Sequence, residues 1–143
     1  DHVPETEEYG IESFVWRGRL PFDGRRIRTV LTGAMPGVLR AKGWFWVETD
    51  PNHIFEYSVA GGLTDIHPLV LCWAATPEKD WPTGAEAVAR IHGNWRAPFG
   101  DRRQELVFIG TGLDRAAITA ALEACLVSRP RMPLRPGRNF HAS

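Results

Sequence analysis

The run Val38–Glu48 (VLRAKGWFWVE) ends in four bulky apolar residues in succession, Trp44-Phe45-Trp46-Val47. Aromatic and β-branched side chains favour extended backbone, and along a strand successive side chains leave opposite faces. Trp44 and Trp46 then point to one face, and Phe45 and Val47 to the other. A strand apolar on both faces belongs inside a sheet that other elements cover, at least in part, on both sides. Any fold for this chain must supply that strand with neighbours at its edges and with layers above it. Gly43, just before the aromatics, predicts a bulge or the close approach of another backbone.

The rest of the chain supplies those elements. Residues 11–20 (IESFVWRGRL) read as a strand in which Phe14 and Trp16 alternate against Val15. Pro21-Phe22-Asp23-Gly24 breaks it, and Asp23 is placed to N-cap a short helix with Ile27, Val30 and Leu31 on one face. Gly33 suits the end of that helix, and Pro36-Gly37 the turn after it. Asp50-Pro51-Asn52 predicts a turn before the apolar run at Ile54, Phe55 and Tyr57, and Ala60-Gly61-Gly62 predicts the next. Residues 63–75 read as one or two strands interrupted at Pro68, which a central ladder does not accommodate. Residues 76–100 are irregular, with a short helix expected over 84–91. Residues 102–110 (RRQELVFIG) are a strand, and Asp114 caps a helix whose buried stripe is Ile118, Leu122, Cys125 and Leu126. The order β-α-β-β-β-(irregular)-β-α predicts an α+β domain, a mainly antiparallel sheet with two main helices packed on it.

A chain of 143 residues holds one domain with a core of its own. Seventeen basic and seventeen acidic residues cancel, which argues against a nucleic-acid or anionic-membrane partner. The charges are unevenly placed. Residues 1–9 hold Asp1, Glu5, Glu7 and Glu8 and read as an acidic linker; residues 128–143 hold Arg129, Arg131, Arg135 and Arg138 and read as an Arg/Pro-rich tail. The domain between them, 10–127, is itself neutral. Cys72 and Cys125 sit in apolar runs as buried thiols rather than a disulfide framework, so a cytoplasmic setting is expected. No run of 18 apolar residues is present to span a membrane, and the acidic start is not a signal peptide.

Missing motifs narrow the chemistry. The sequence has no G-x-x-x-x-G-K-[ST] loop for a triphosphate, no G-x-G-x-x-G for a dinucleotide and no G-x-S-x-G nucleophile turn. His2, His53, His67, His92 and His141 each stand more than four residues from another His or Cys, so no zinc spacing appears. His67 and Cys72 read as a turn histidine and a core cysteine. No nucleophile–base pair marks the chain as an enzyme.

What is distinctive is a set of local runs: Tyr9 to Val15 (YGIESFV), Gly37 to Trp46 (GVLRAKGWFW), Trp73-Ala74-Ala75, Phe99 to Gly110 (FGDRRQELVFIG) and Gly112-Leu113-Asp114. Together they resemble the C-terminal domain of the CobW family, over about residues 8–127. That resemblance implies P-loop GTPases acting as metallochaperones, whose GTP site and Cys-x-Cys-Cys metal motif lie in an N-terminal domain. This chain would then be the non-catalytic C-terminal domain, with no cofactor of its own. GTP and Zn or Co would belong to the full-length protein, with links to zinc homeostasis and cobalamin synthesis. Its implied partners are the GTPase domain of the same protein, a client metalloprotein, or a second copy in a homo-oligomer.

The residues able to carry such interactions are charged pairs on strands. Asp101, Arg103 and Glu105 share one face of the RRQELVFIG strand and Arg102 and Gln104 the other, a pattern suited to a surface ladder of ion pairs. Arg102 and Arg103 are also expected to contact the GTPase domain or a client. Arg40 and Lys42 form a second basic point on one face of the aromatic strand. The rival reading is a free-standing binding module for a small ligand or nucleic acid, since a basic strand with aromatics also suits an RNA platform.

Overall fold

A computed structural model describes residues 10–130; the 1–9 linker and all but the first three residues of the 128–143 tail lie outside the described residues. Five strands form one antiparallel sheet: β1 (Ile11–Gly18), β2 (Val38–Val47), β3 (Asp50–Ala60), β4 (Leu63–Leu71) and β5 (Gln104–Thr111). Their order in space is β1-β5-β2-β3-β4, so the doubly apolar β2 lies at the centre, as its composition demands. Three helices accompany the sheet: α1 (Gly24–Thr32), α2 (Ala85–Gly93) and α3 (Arg115–Glu123). The architecture is α+β with the expected element order, and α2 makes a third helix beside the two main ones.

The capping residues act as their chemistry predicts. Asp23 accepts a hydrogen bond from the Arg26 N–H at 2.9 Å, and Asp114 accepts from Ala117 N–H at 3.0 Å. Ile27 and Leu31 of α1, with Ile118 and Leu122 of α3, bury against Phe14, Trp16, Ala41, Phe45, Tyr57, Leu106 and Phe108 on one sheet face. Each buried Ile, Leu or Phe side chain contributes about 1.5–3 kcal/mol of burial. Pro21 and Phe22 stitch this layer to the sheet. Phe22 N–H donates to Trp46 O at 3.1 Å, and Val127 N–H donates to Pro21 O at 2.8 Å.

Three local expectations are corrected. The β2–β3 turn falls at Glu48–Thr49 rather than at 50–52, because the register shifts between Phe45 and Val47 and Val47 pairs Asp50. That irregularity also breaks the simple alternation, so Phe45, Trp46 and Val47 are all buried. Pro68 does not end its strand. β4 runs through it because β4 is an edge, and the ladder slips between Ile54 and Phe55 opposite the proline. Beyond β4, Trp73–Ala75 is a 3₁₀ turn. It belongs to a second small core of Cys72, Ala74, Ala75, Trp81, Ile91 and Trp95.

Candidate functional site: the uncovered face of the sheet

Helices α1 and α3 lie on one face of the sheet, and the residues that alternate with the core positions make up the other. Along β1 these are Ser13, Val15 and Arg17; along β5, Ile109, Val107 and Glu105; along β2, Arg40, Lys42 and Trp44. Arg40 lies beside Ile109 of β5, and Lys42 between Val107 of β5 and Ser58 of β3. Both cations are exposed, and Val15 is 36% exposed. Arg40, Lys42, Ser58 and Ile109 line a depression of about 290 Å³. An antiparallel sheet tolerates one watered face, and on this one valines and an isoleucine interleave with two cations.

The six candidate residues separate into two classes. Arg40 and Lys42 stand free of the core at the centre of the open face. The 101–105 run keeps its alternation, with Arg102 4% and Gln104 1% exposed, and Asp101, Arg103 and Glu105 partly exposed. Its ion-pair ladder is short. Glu105 Oε1 receives Arg17 Nε at 3.0 Å and lies 3.7 Å from Arg103 Nη1, while Asp101 turns away to accept from the N–H groups of Trp73 (3.0 Å) and Ala74 (2.8 Å). Asp101 therefore caps the 3₁₀ turn.

Arg102 is an internal strut. Its Nε donates to Pro51 O and its Nη1 to Phe99 O at 3.0 Å, and its guanidinium lies 5.7 Å from the Trp46 ring centroid. Gln104 clamps the same region: its Oε1 accepts from Trp46 N–H at 3.1 Å and its Nε2 donates to Leu20 O. Of the two adjacent arginines only Arg103 is presented outward, over the Trp44 ring at 5.0 Å. Spacing alone does not tell which of them faces outward; their places in the turn before β5 do.

The described histidines and cysteines are engaged locally. His67 holds Glu56 at 3.1 Å through Nε2 and Asp65 at 2.5 Å through Nδ1. The two carboxylates lie on opposite ring nitrogens and share no ion position. Among the described residues no group of three His, Cys, Asp or Glu side chains is placed to hold a metal. Cys72 and Cys125 are both buried, and burial pushes both thiols up from their ordinary pKa. No helix among the described residues is long and apolar enough to cross a membrane.

Residues 11–126 match the family model described as "Cobalamin synthesis protein cobW C-terminal domain". The chain is a CobW-family C-terminal domain. Among the relatives of this CobW domain is zinc-regulated GTPase metalloprotein activator 1 of Dictyostelium discoideum, 38% identical over 131 residues. The alignment covers 89% of this chain and 27% of that protein. A zinc chaperone of Mycobacterium tuberculosis is 27% identical over 116 residues, covering 80% of this chain and 29% of its own. The Zn(II)-bound YjiA GTPase from E. coli shares the fold, with a TM-score of 0.55 at 18% identity over 89% of this chain and 33% of that one. The chain thus spans under a third of the length of the proteins it matches.

Proposed function

We propose that this CobW domain is the non-catalytic interaction domain of a GTP-dependent metal chaperone, and that it docks its GTPase domain through the uncovered sheet face. The observation that carries the reading is the pairing of Arg40 and Lys42 with Val107, Ile109 and Val15 on a face that α1 and α3 leave open. Apolar area there offers burial, and the two cations offer orientation toward an acidic partner surface. Zinc is the cargo that the relatives' names support, and the family's description keeps cobalt as the second candidate. Delivery to a client metalloprotein would follow from the GTPase half, since this domain offers neither a phosphate loop nor a metal cluster among its described residues.

The test is association of this chain with the GTPase portion of a full-length family member, followed by calorimetry with and without GTP and zinc. Binding should occur, change with nucleotide or metal state, and weaken by at least about tenfold in the double variant Arg40→Glu/Lys42→Glu. The thermal midpoint of that variant should stay within about 2 °C of the parent, because both side chains lie outside the core. No association in any state would overturn the reading and favour a free-standing binding module. Sedimentation of the chain alone reads out self-association in the same experiment.

A further inference from the structure

The lower end of the sheet gathers cations that the Arg40–Lys42 stripe does not include. Arg17 and Arg19 leave the end of β1, Arg96 follows α2, and Arg103 precedes β5. Carbonyl oxygens hold two of these in place: Arg19 Nη1 donates to Gly100 O at 3.1 Å and to Arg102 O at 3.3 Å, and Arg96 Nη1 donates to Trp95 O at 2.9 Å. Carbonyls orient a guanidinium without neutralising it. Asp101, bonded by two backbone N–H groups, and Glu105, shared between Arg17 and Arg103, are two carboxylates against the four guanidinium groups. Burial lowers the Arg19 pKa first, the charges of Arg96 and Arg103 lower it further, and Asp101 opposes them.

Three of these cations, Arg17, Arg19 and Arg103, line two adjoining clefts, and the charge of Arg96 acts on Arg19. One, of about 470 Å³, is lined by Arg17, Arg19, Asn94 and Arg103. The other, of about 420 Å³, has apolar walls in Trp44, Ile54, Trp73 and Ile91, carries Arg90 and the carboxylate of Asp101 on its lining, and shares Asn94 and Arg103 with the first. Trp73 is 36% exposed at its mouth.

We propose that the paired clefts are a docking site for an acidic peptide segment of a partner protein that carries a bulky aromatic side chain. The aromatic group enters the Trp44–Trp73 cleft, and the flanking carboxylates meet Arg17, Arg19, Arg96 and Arg103 in charge-assisted hydrogen bonds. Charge complementarity selects an acidic occupant. The apolar second cleft selects a peptide over a compact oxyanion, which would use the arginines and leave Trp44 and Trp73 unused. This goes beyond the association proposed above and centres on the other end of the same sheet face, without Arg40 or Lys42.

The test is fluorescence anisotropy of the fluorescein-labelled peptide EEWEE on this chain, with QQWQQ and EEAEE as controls and inorganic pyrophosphate as competitor. EEWEE should bind at least about tenfold tighter than either control, and Arg103→Ala and Arg96→Gln should each weaken it by about fivefold or more. Both side chains lie outside the core, and an unchanged circular dichroism spectrum and thermal midpoint would show that the loss is local. Arg40→Glu/Lys42→Glu should leave the peptide affinity unchanged, which separates this site from the sheet-face interface. Four results would each overturn the proposal. They are no binding at about 1 mM peptide, equal binding of all three peptides, displacement of EEWEE by equimolar pyrophosphate, and indifference to the arginine substitutions.

Discussion

Strands β2 and β5 come together at a position where one methyl group has no room. Gly43 has φ +149° and lies opposite Leu106 of β5 and Tyr57 of β3. A Cβ there would fall on the Glu105 carbonyl oxygen, with the Glu105 carbonyl carbon and Leu106 Cα both at 2.9 Å. All three are backbone atoms in the central ladder, so relief requires a strand to shift rather than a side chain to rotate. Overpacking costs about 1–3 kcal/mol, and a non-glycine residue in a sparsely populated backbone region adds about 1–3 kcal/mol. Gly43→Ala is therefore expected to lose about 3–5 kcal/mol, a large part of the stability of an ordinary domain. At this chain length that lowers the thermal midpoint by roughly 10–20 °C. Gly61→Ala is the matched control: its φ is +58° but nothing lies within 4 Å of the added Cβ. Its cost is backbone strain alone, about 1–2 kcal/mol. Urea denaturation followed by tryptophan fluorescence measures both. If Gly43→Ala proves no more damaging than Gly61→Ala, the close approach of β2 to β5 is not what requires a glycine there.

Adjacent arginines should behave oppositely: Arg102→Ala, which removes a buried strut, is expected to cost about 3 kcal/mol in urea denaturation, and Arg103→Ala under about 1 kcal/mol. Gln104→Leu leaves the Trp46 N–H and the Leu20 carbonyl without their partner and should cost about 2 kcal/mol in the same assay. Tyr57, fully buried and donating to Leu31 O at 3.2 Å, has its pKa raised by burial from 10.0 to about 12. The raised value favours the neutral phenol, so its contribution is intact below pH 10 and is lost as pH climbs toward 12. Denaturation across that range should show about 2–3 kcal/mol more loss in the parent than in Tyr57→Phe. Both thiols, being buried with raised pKa, should react slowly with a disulfide reagent at about pH 8 and quickly once urea is added.

Local signals translated well into local structure. Asp23 and Asp114 cap helices because a carboxylate before an amphipathic run satisfies orphan N–H groups wherever the helix later packs. The alternation of Phe14 and Trp16 against Val15 survived as the two faces of β1, and Arg102 and Gln104 stayed buried against partly exposed Arg103 and Glu105 although both arginines lie before β5 begins. Less legible was anything set by pairing. Whether Pro68 breaks a strand depends on whether that strand is an edge. Where the β2–β3 turn falls depends on a register slip beside Trp46.

The candidate sites divide along the same line. Arg40 and Lys42 were readable as a pair because they are two residues apart on one strand. Trp44 and Arg103, or Arg19 and Arg96, are neighbours only after the chain has closed loops of about 60 to 80 residues, and no spacing rule announces them.

By itself, then, the sequence determined the element types, the α+β class and the family, because periodicity, caps and contiguous runs are short-range properties carried by neighbouring residues. Only the tertiary structure decided that Arg102 is a strut and Arg103 faces outward, that Asp101 is a cap, and that residues distant in sequence line two adjoining clefts. Those outcomes depend on which backbone carbonyls and rings the sheet brings within reach, and strand order, not local composition, sets that.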